Sequence, residues 1–226
     1  SADFIIDSVW PKPEWFDYQS VLPAMQAFPD YPFMVGYLAI GWFSWEVRGM
    51  ENVLTDFALN PAVGEAIIRN IADFGYEYFT RLLEAVKDHI GKNVVAIHIA
   101  DDWGTQEGLL ASPDVFRKFY APQYRRFTDL AHSHGLKVEF HSCGAARGLY
   151  REFAEVGVDI MNPVQTSARG MVPMEIKEEF GKDLAFSGGI DVQQVLPKLT
   201  VQQVKDEVKR VLDALGTGGG YIPGPA

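Results

Sequence analysis

Residues 136–157 read LKVEFHSCGAARGLYREFAEVG, and the hydrophobic period changes midway through them. In the first eight positions Leu136, Val138 and Phe140 alternate with Lys137, Glu139, His141 and Cys143. Side chains along a strand point to opposite faces in turn, so the three apolar residues share one face and the four polar ones the other. From Ala146 onward the spacing is helical, and Gly157 closes that helix. The stretch is a strand, a short loop and a helix.

The same unit recurs in both directions. Downstream, DIMNPVQ (159–165) is a strand and PMEIKEEFG (173–181) a short helix. LAFSGGID (184–191) is a strand, and TVQQVKDEVKRVLDALG (200–216) a helix with Thr200 as N-cap and Gly216 as C-cap. GGGYIPGPA (218–226) reads as the start of one more strand. Upstream, SPDVFRKFYAPQYRRFTDLAHSHG (112–135) is a helix capped by Ser112 and Gly135, which Pro122 should kink or split. NVVAIHIADD (93–102) is a strand ending in carboxylates. Before it stands the longest helical stretch, opening at Pro61, with Ile67, Ile71, Phe74, Tyr78, Leu82 and Val86 at helical spacing. SWEVRGMENVLTDFALN (44–60) is a helix, a turn and a helix, and FMVGYLAI (33–40) is a buried strand. The first 32 residues, rich in aromatics and proline, are loop with a short helix from Tyr18 to Ala27.

Strands alternating with helices specify a parallel α/β fold. Both an open doubly wound sheet and a (β/α) barrel fit this order. No Gly-x-Gly-x-x-Gly follows the first strand, so a dinucleotide site has no support. Polar residues that could carry chemistry stand at the ends of several strands, as in a barrel whose site is built from all the strand C-termini. A complete eight-stranded barrel takes about 250 residues, so this chain reads as one incomplete barrel domain over residues 1–226.

Composition narrows the function. The formal charge is −10 without a basic cluster, which disfavours a nucleic-acid partner. No apolar run is long enough to cross a membrane, and SADFIIDSVWPKPEW (1–15) lacks a basic region ahead of an apolar core. The single cysteine excludes an internal disulfide and fits a cytoplasmic setting.

His141 and Cys143 end the polar face of their strand. Imidazole and thiolate are both zinc ligands, and a catalytic zinc keeps one position open. A third ligand has to come from elsewhere: Glu139, Asp101, Asp102 or Asp191. The alternative is a hydrogen-bonded histidine beside a buried free thiol. Of Asp101 and Asp102, adjacent on a strand, only one is expected to enter the site, and Asp102 shares its face with His98. Asp102 could serve as a general acid, with Asp101, Trp103 and Gln106 beside it as substrate contacts, or the acids could be turn residues. Asp191 is a catalytic carboxylate or the N-cap of a short helix through Leu196. Gly188 and Gly189 would let backbone approach a ligand, and Asn162 and Gln165 would orient substrate or satisfy a loop.

Together these strand-end motifs resemble the uroporphyrinogen decarboxylase superfamily. DDWGTQEGLLASPDVFRKFYAPQY, HGLKVEFHSCGA, VGVDIMNPVQTSARGM, FSGGIDVQQVLP and GGGYI occur in the family's order and spacing, covering roughly Asn93 to Ile222. The resemblance implies an (α/β)8 barrel, here without the family's N-terminal segment, first strands and C-terminal end. An open barrel edge would favour a homodimer. The superfamily holds cofactor-free decarboxylases of uroporphyrinogen and corrinoid-dependent methyltransferases that bind zinc through His-x-Cys and a later cysteine. HSCG and DDWGTQ sit nearer the methyltransferase-like branch, although no later cysteine is present. Three functions follow from the resemblance. The first is zinc-assisted methyl transfer between a corrinoid, free or carried by a corrinoid protein, and a small-molecule thiol, with zinc on His141 and Cys143 and with Asp102 and Asp191 as acid, base or ligand partners. The second is decarboxylation of a carboxylated tetrapyrrole through Asp102 or Asp191. The third is non-catalytic binding of a corrinoid or tetrapyrrole.

Overall fold

The structure of the protein is a computed structural model, which describes residues 10–226. It carries six parallel strands in chain order: β1 (Phe33–Val35), β2 (Val94–Ala100), β3 (Lys137–His141), β4 (Ile160–Val164), β5 (Ala185–Ile190) and β6 (Tyr221–Pro225). Helices stand in the crossovers, which makes this a (β/α)8 TIM-type barrel fold represented by six strands among the described residues. The chain forms two compact units. One takes in the described residues up to Ala100 together with Asp114–Val138, and the other Asp101–Pro113 with Glu139–Ala226.

In the first unit β1 pairs parallel with β2. The apolar run at residues 33–40 yields only the three-residue β1, shorter than the sequence implies. Beyond Gly36 the segment stays tied to the next strand by a bond from the Ala100 N–H to the Leu38 carbonyl (2.8 Å) and by the ring of Tyr37 stacked on His98. The helix Pro61–Ala85 buries Ile67, Ile71 and Leu82, and Val86 is buried just beyond its end. Its half-buried Phe74 and Tyr78 meet the ring of Phe16 at 5.8 and 5.4 Å. Helices Ile40–Arg48 and Met50–Leu59 are linked by an ion pair from Arg48 Nε to the buried Asp56 (2.8 Å). That hydrogen bond holds the Asp56 carboxyl below the usual carboxylate range against the opposing effect of burial. Pro122 does divide its helix. The chain makes a π-helical turn over Phe116–Tyr120 before the α-helix Ala121–Ser133, since proline supplies no N–H and crowds the preceding turn.

The second unit holds the registers that matter for function. Phe140 stands opposite Met161, and His141 opposite Asn162. Met161 in turn stands opposite Phe186. Period-two alternation then sorts two levels of side chains. Phe140, Met161 and Phe186 are fully buried. Phe140 packs on Phe153 of the helix Tyr150–Glu155 with ring centroids 4.4 Å apart, and Phe186 stacks on Tyr150 of the same helix. His141, Asn162 and Ser187, each the next residue in its strand, project from the other face. The helix Val201–Gly216 begins with a full capping box: Thr200 Oγ1 accepts from the Gln203 N–H, and Gln203 Oε1 accepts from the Thr200 N–H. It runs one residue past the sequence boundary and through Gly216, with Thr217 as C-cap.

Phe140→Ala should lower the unfolding free energy by about 3–5 kcal/mol, as for large aromatic truncations in cores. Chemical denaturation monitored by tryptophan fluorescence measures it, and a loss below about 1 kcal/mol would contradict the packing described.

Candidate metal site

Gly104 and Gly144 set the geometry at the ends of the strands in the second unit. A methyl group on Gly104 would lie 2.6 Å from the Ala145 nitrogen, and one on Gly144 would lie 2.4 Å from the Gly104 carbonyl carbon. Gly144 also has φ +80°, a conformation costly to any residue with a Cβ. Backbone therefore meets backbone here, and hydrogen bonds seal the contact. The Ala145 N–H donates to the Thr105 carbonyl (2.7 Å), and the Trp103 N–H to Ser142 Oγ (2.9 Å). The Asp101 N–H donates to the His141 carbonyl (2.9 Å).

This contact delivers Asp102 to the His-x-Cys pair. Asp102 Oδ1 accepts from the Cys143 N–H at 2.8 Å and lies 3.8 Å from His141 Nε2. Cys143 Sγ is 3.3 Å from His141 Nε2. One ligand atom from each residue lies within 4.8 Å of the others, on half-buried side chains. Zinc bonds of about 2.0–2.3 Å imply ligand separations near about 3.5 Å at a tetrahedral centre. The carboxylate, imidazole and thiol thus fit a three-ligand metal site with one position open.

The remaining sequence candidates are placed differently. Asp101 is buried at 3% exposure, and Trp103 is buried beside it. Gln106 is exposed, and its carbonyl accepts the Arg169 N–H (2.9 Å). Gln165 Oε1 accepts the Gly144 N–H (2.8 Å), so its amide holds the loop that carries Cys143. Asn162 Oδ1 lies 2.8 Å from His141 Nδ1. Asp191 Oδ1 accepts the N–H groups of Gln193 (2.6 Å) and Gln194 (3.0 Å), a turn that leads into the short helix Val195–Lys198, whose own N-cap is Gln194. Gly188 and Gly189 both lie close against neighbouring side chains. A Cβ on Gly188 would press on Pro163 at 2.8 Å, and one on Gly189 on Val211 at 2.9 Å.

Sequence reading passed over Gly104, Ser142 and Ser187. The alternation used for β3, extended to AFSGGI, would have put Ser187 on the polar face beside Asn162. Nothing in the local sequence signals the contact between Gly104 and Gly144, which are 40 positions apart.

The Cys143 thiol has its pKa pushed up to about 11, first by burial, then by the negative charge of Asp102 and the hydrogen bond to it. At neutral pH only about one thiol in ten thousand is ionised, so without a metal Cys143 is a poor nucleophile. A bound metal cation reverses this by favouring the thiolate.

The profile of the uroporphyrinogen decarboxylase family matches residues 40–226, and the chain belongs to that family. Among solved structures, a methyltransferase from Methanosarcina mazei superposes with a TM-score of 0.70 at 19% identity, covering 92% of this chain. The chain spans 56% of the length of that protein. No curated protein matches the sequence.

In the metal-free protein, alkylation of Cys143 should be slow at pH 8 and rise steeply only as pH approaches 11. Asp102→Asn should lower that midpoint by removing the neighbouring charge. A raised thiol pKa favours the folded state below pH 9 and ceases to do so as pH climbs through 11. Iodoacetamide rates across pH test this, and an unchanged midpoint in the variant would refute the Asp102 contribution. Gly144→Ala should destabilise the protein by at least about 2 kcal/mol through crowding and left-handed strain, read as a lowered denaturation midpoint.

Proposed function

We propose that the protein is an enzyme of the methyltransferase-like branch of its family, moving a methyl group between a corrinoid and the sulfur of a small-molecule thiol. The observation that carries this reading is the convergence of Asp102, His141 and Cys143, three different ligand types within 4.8 Å. The fold likeness to a Methanosarcina methyltransferase supports it. His141 Nε2, Cys143 Sγ and an Asp102 oxygen would hold zinc, and Asp102 supplies the third ligand for which the sequence offers no second cysteine. Zinc bound there would act as a Lewis acid, lowering the pKa of a substrate thiol so that thiolate is present at neutral pH. The protein's own residues orient that centre: Gln165 and Asp102 fix the Cys143 loop through the Gly144 and Cys143 N–H groups. The methyl donor is a corrinoid, free or on a corrinoid protein, and the partner thiol is small.

A cofactor-free decarboxylase would instead use Asp102 to stabilise a protonated pyrrole. Its polyanionic substrate needs cations, and Arg147, the arginine that follows the site loop, is already paired with Glu175 and Glu179 (2.8 Å to the latter). The net charge of −10 also opposes such a substrate. Methyl transfer accounts better for these observations.

Elemental analysis of the whole protein, purified without added metal, should find one zinc per chain, lost in Cys143→Ser and in His141→Ala. With methylcobalamin and a thiol, the wild type should form the thioether and release cob(I)alamin, seen by absorbance. Absence of zinc in the wild type, or full zinc in Cys143→Ser, would overturn the proposal. Turnover of uroporphyrinogen instead would establish the decarboxylase.

A further inference from the structure

Three consecutive strands each give one side chain to a single hydrogen-bonded row behind the candidate metal site. Asn162 Nδ2 donates to Ser187 Oγ at 3.0 Å, and Asn162 Oδ1 faces His141 Nδ1 at 2.8 Å. Backbone geometry sets the row in place. His141 and Asn162 are cross-strand partners, and the Ser142 N–H donates to the Asn162 carbonyl at 2.6 Å. Ser187 is buried, and it follows Phe186, the partner of Met161.

We propose that Asn162 and Ser187 are positioning residues that lock His141 in the tautomer with its proton on Nδ1. An amide oxygen only accepts and an amide nitrogen only donates. With Ser187 taking a hydrogen from Nδ2, the amide presents Oδ1 to the ring, and an acceptor at 2.8 Å requires the proton on Nδ1. Nε2 is left with its lone pair, directed at Cys143 Sγ and Asp102. An unconstrained imidazole prefers the opposite tautomer, with Nε2 protonated and unable to bind a metal. The row therefore holds the metal-binding form in advance, and Ser187 anchors the Asn162 amide in its place through the bond to Nδ2. Partners of this kind also raise the basicity of the ligating nitrogen. Its value to catalysis rests on the zinc reading above, whereas the tautomer itself does not.

The test is nitrogen-15 NMR of the imidazole groups in metal-free protein, with the His141 signals assigned by their absence in His141→Gln. Wild type should show His141 in the Nδ1-protonated form alone. Asn162→Leu, which keeps size and removes the acceptor, should give a tautomer mixture and weaken zinc about 10–100-fold in chelator competition. Ser187→Ala should give a partial shift and a smaller loss of affinity. Asn162→Asp, which retains an acceptor, should restore the single tautomer. A tautomer mixture in the wild type, or an unchanged single form in Asn162→Leu that is folded by circular dichroism, would overturn the proposal. A locked tautomer lost in Asn162→Leu, in a wild type that binds no zinc, would uphold the positioning row and sink the zinc reading alone.

Discussion

Gly104 and Gly144 touch through their backbones, and the approach of Asp102 to the His141–Cys143 pair follows from that contact. Neither position tolerates a side chain: a single methyl at either would overlap backbone atoms of the other loop by well over half an ångström. With the two loops this close, Asp102 reaches the Cys143 N–H, and its second role as a neighbour of His141 Nε2 comes with it. The site is thus built by main-chain contact first and side-chain chemistry second. Ser142, Gln165 and Thr105 each add a hydrogen bond to the same loop pair, which is how a stretch without regular structure is held still.

The electrostatics of the cluster have two sides. Without metal, burial and the Asp102 charge together keep the Cys143 thiol neutral at neutral pH. The same carboxylate beside a thiol and an imidazole is an arrangement that a divalent cation would stabilise, because the cation replaces mutual repulsion with attraction.

Much of the fold was legible along the chain. Period-two alternation in LKVEFH and helical spacing after it give β3 and the helix Tyr150–Glu155, and repeating that reading gives the parallel order of strands. Where the reading slipped, tertiary contacts had overruled local pattern. FMVGYLAI is apolar throughout, yet only Phe33–Val35 finds ladder partners along β2. Asp191 reads along the chain as a catalyst or a cap, and its carboxylate accepts two N–H groups of the turn that follows it, ahead of a helix capped by Gln194.

The sequence by itself determined which side chains could share a face, because alternation is a property of the extended backbone and needs no partner. It therefore paired His141 with Cys143 and set both apart from Phe140. It could not determine which carboxylate joins them, since Asp102 lies about forty positions away and is selected by a glycine contact with no local signature. It could not show the row from His141 through Asn162 to Ser187 either. That row depends on the register of β3 against β4 and β5, which only the folded sheet sets, with Phe140 and Phe186 packed against the helix Tyr150–Glu155 and Met161 buried between them in register.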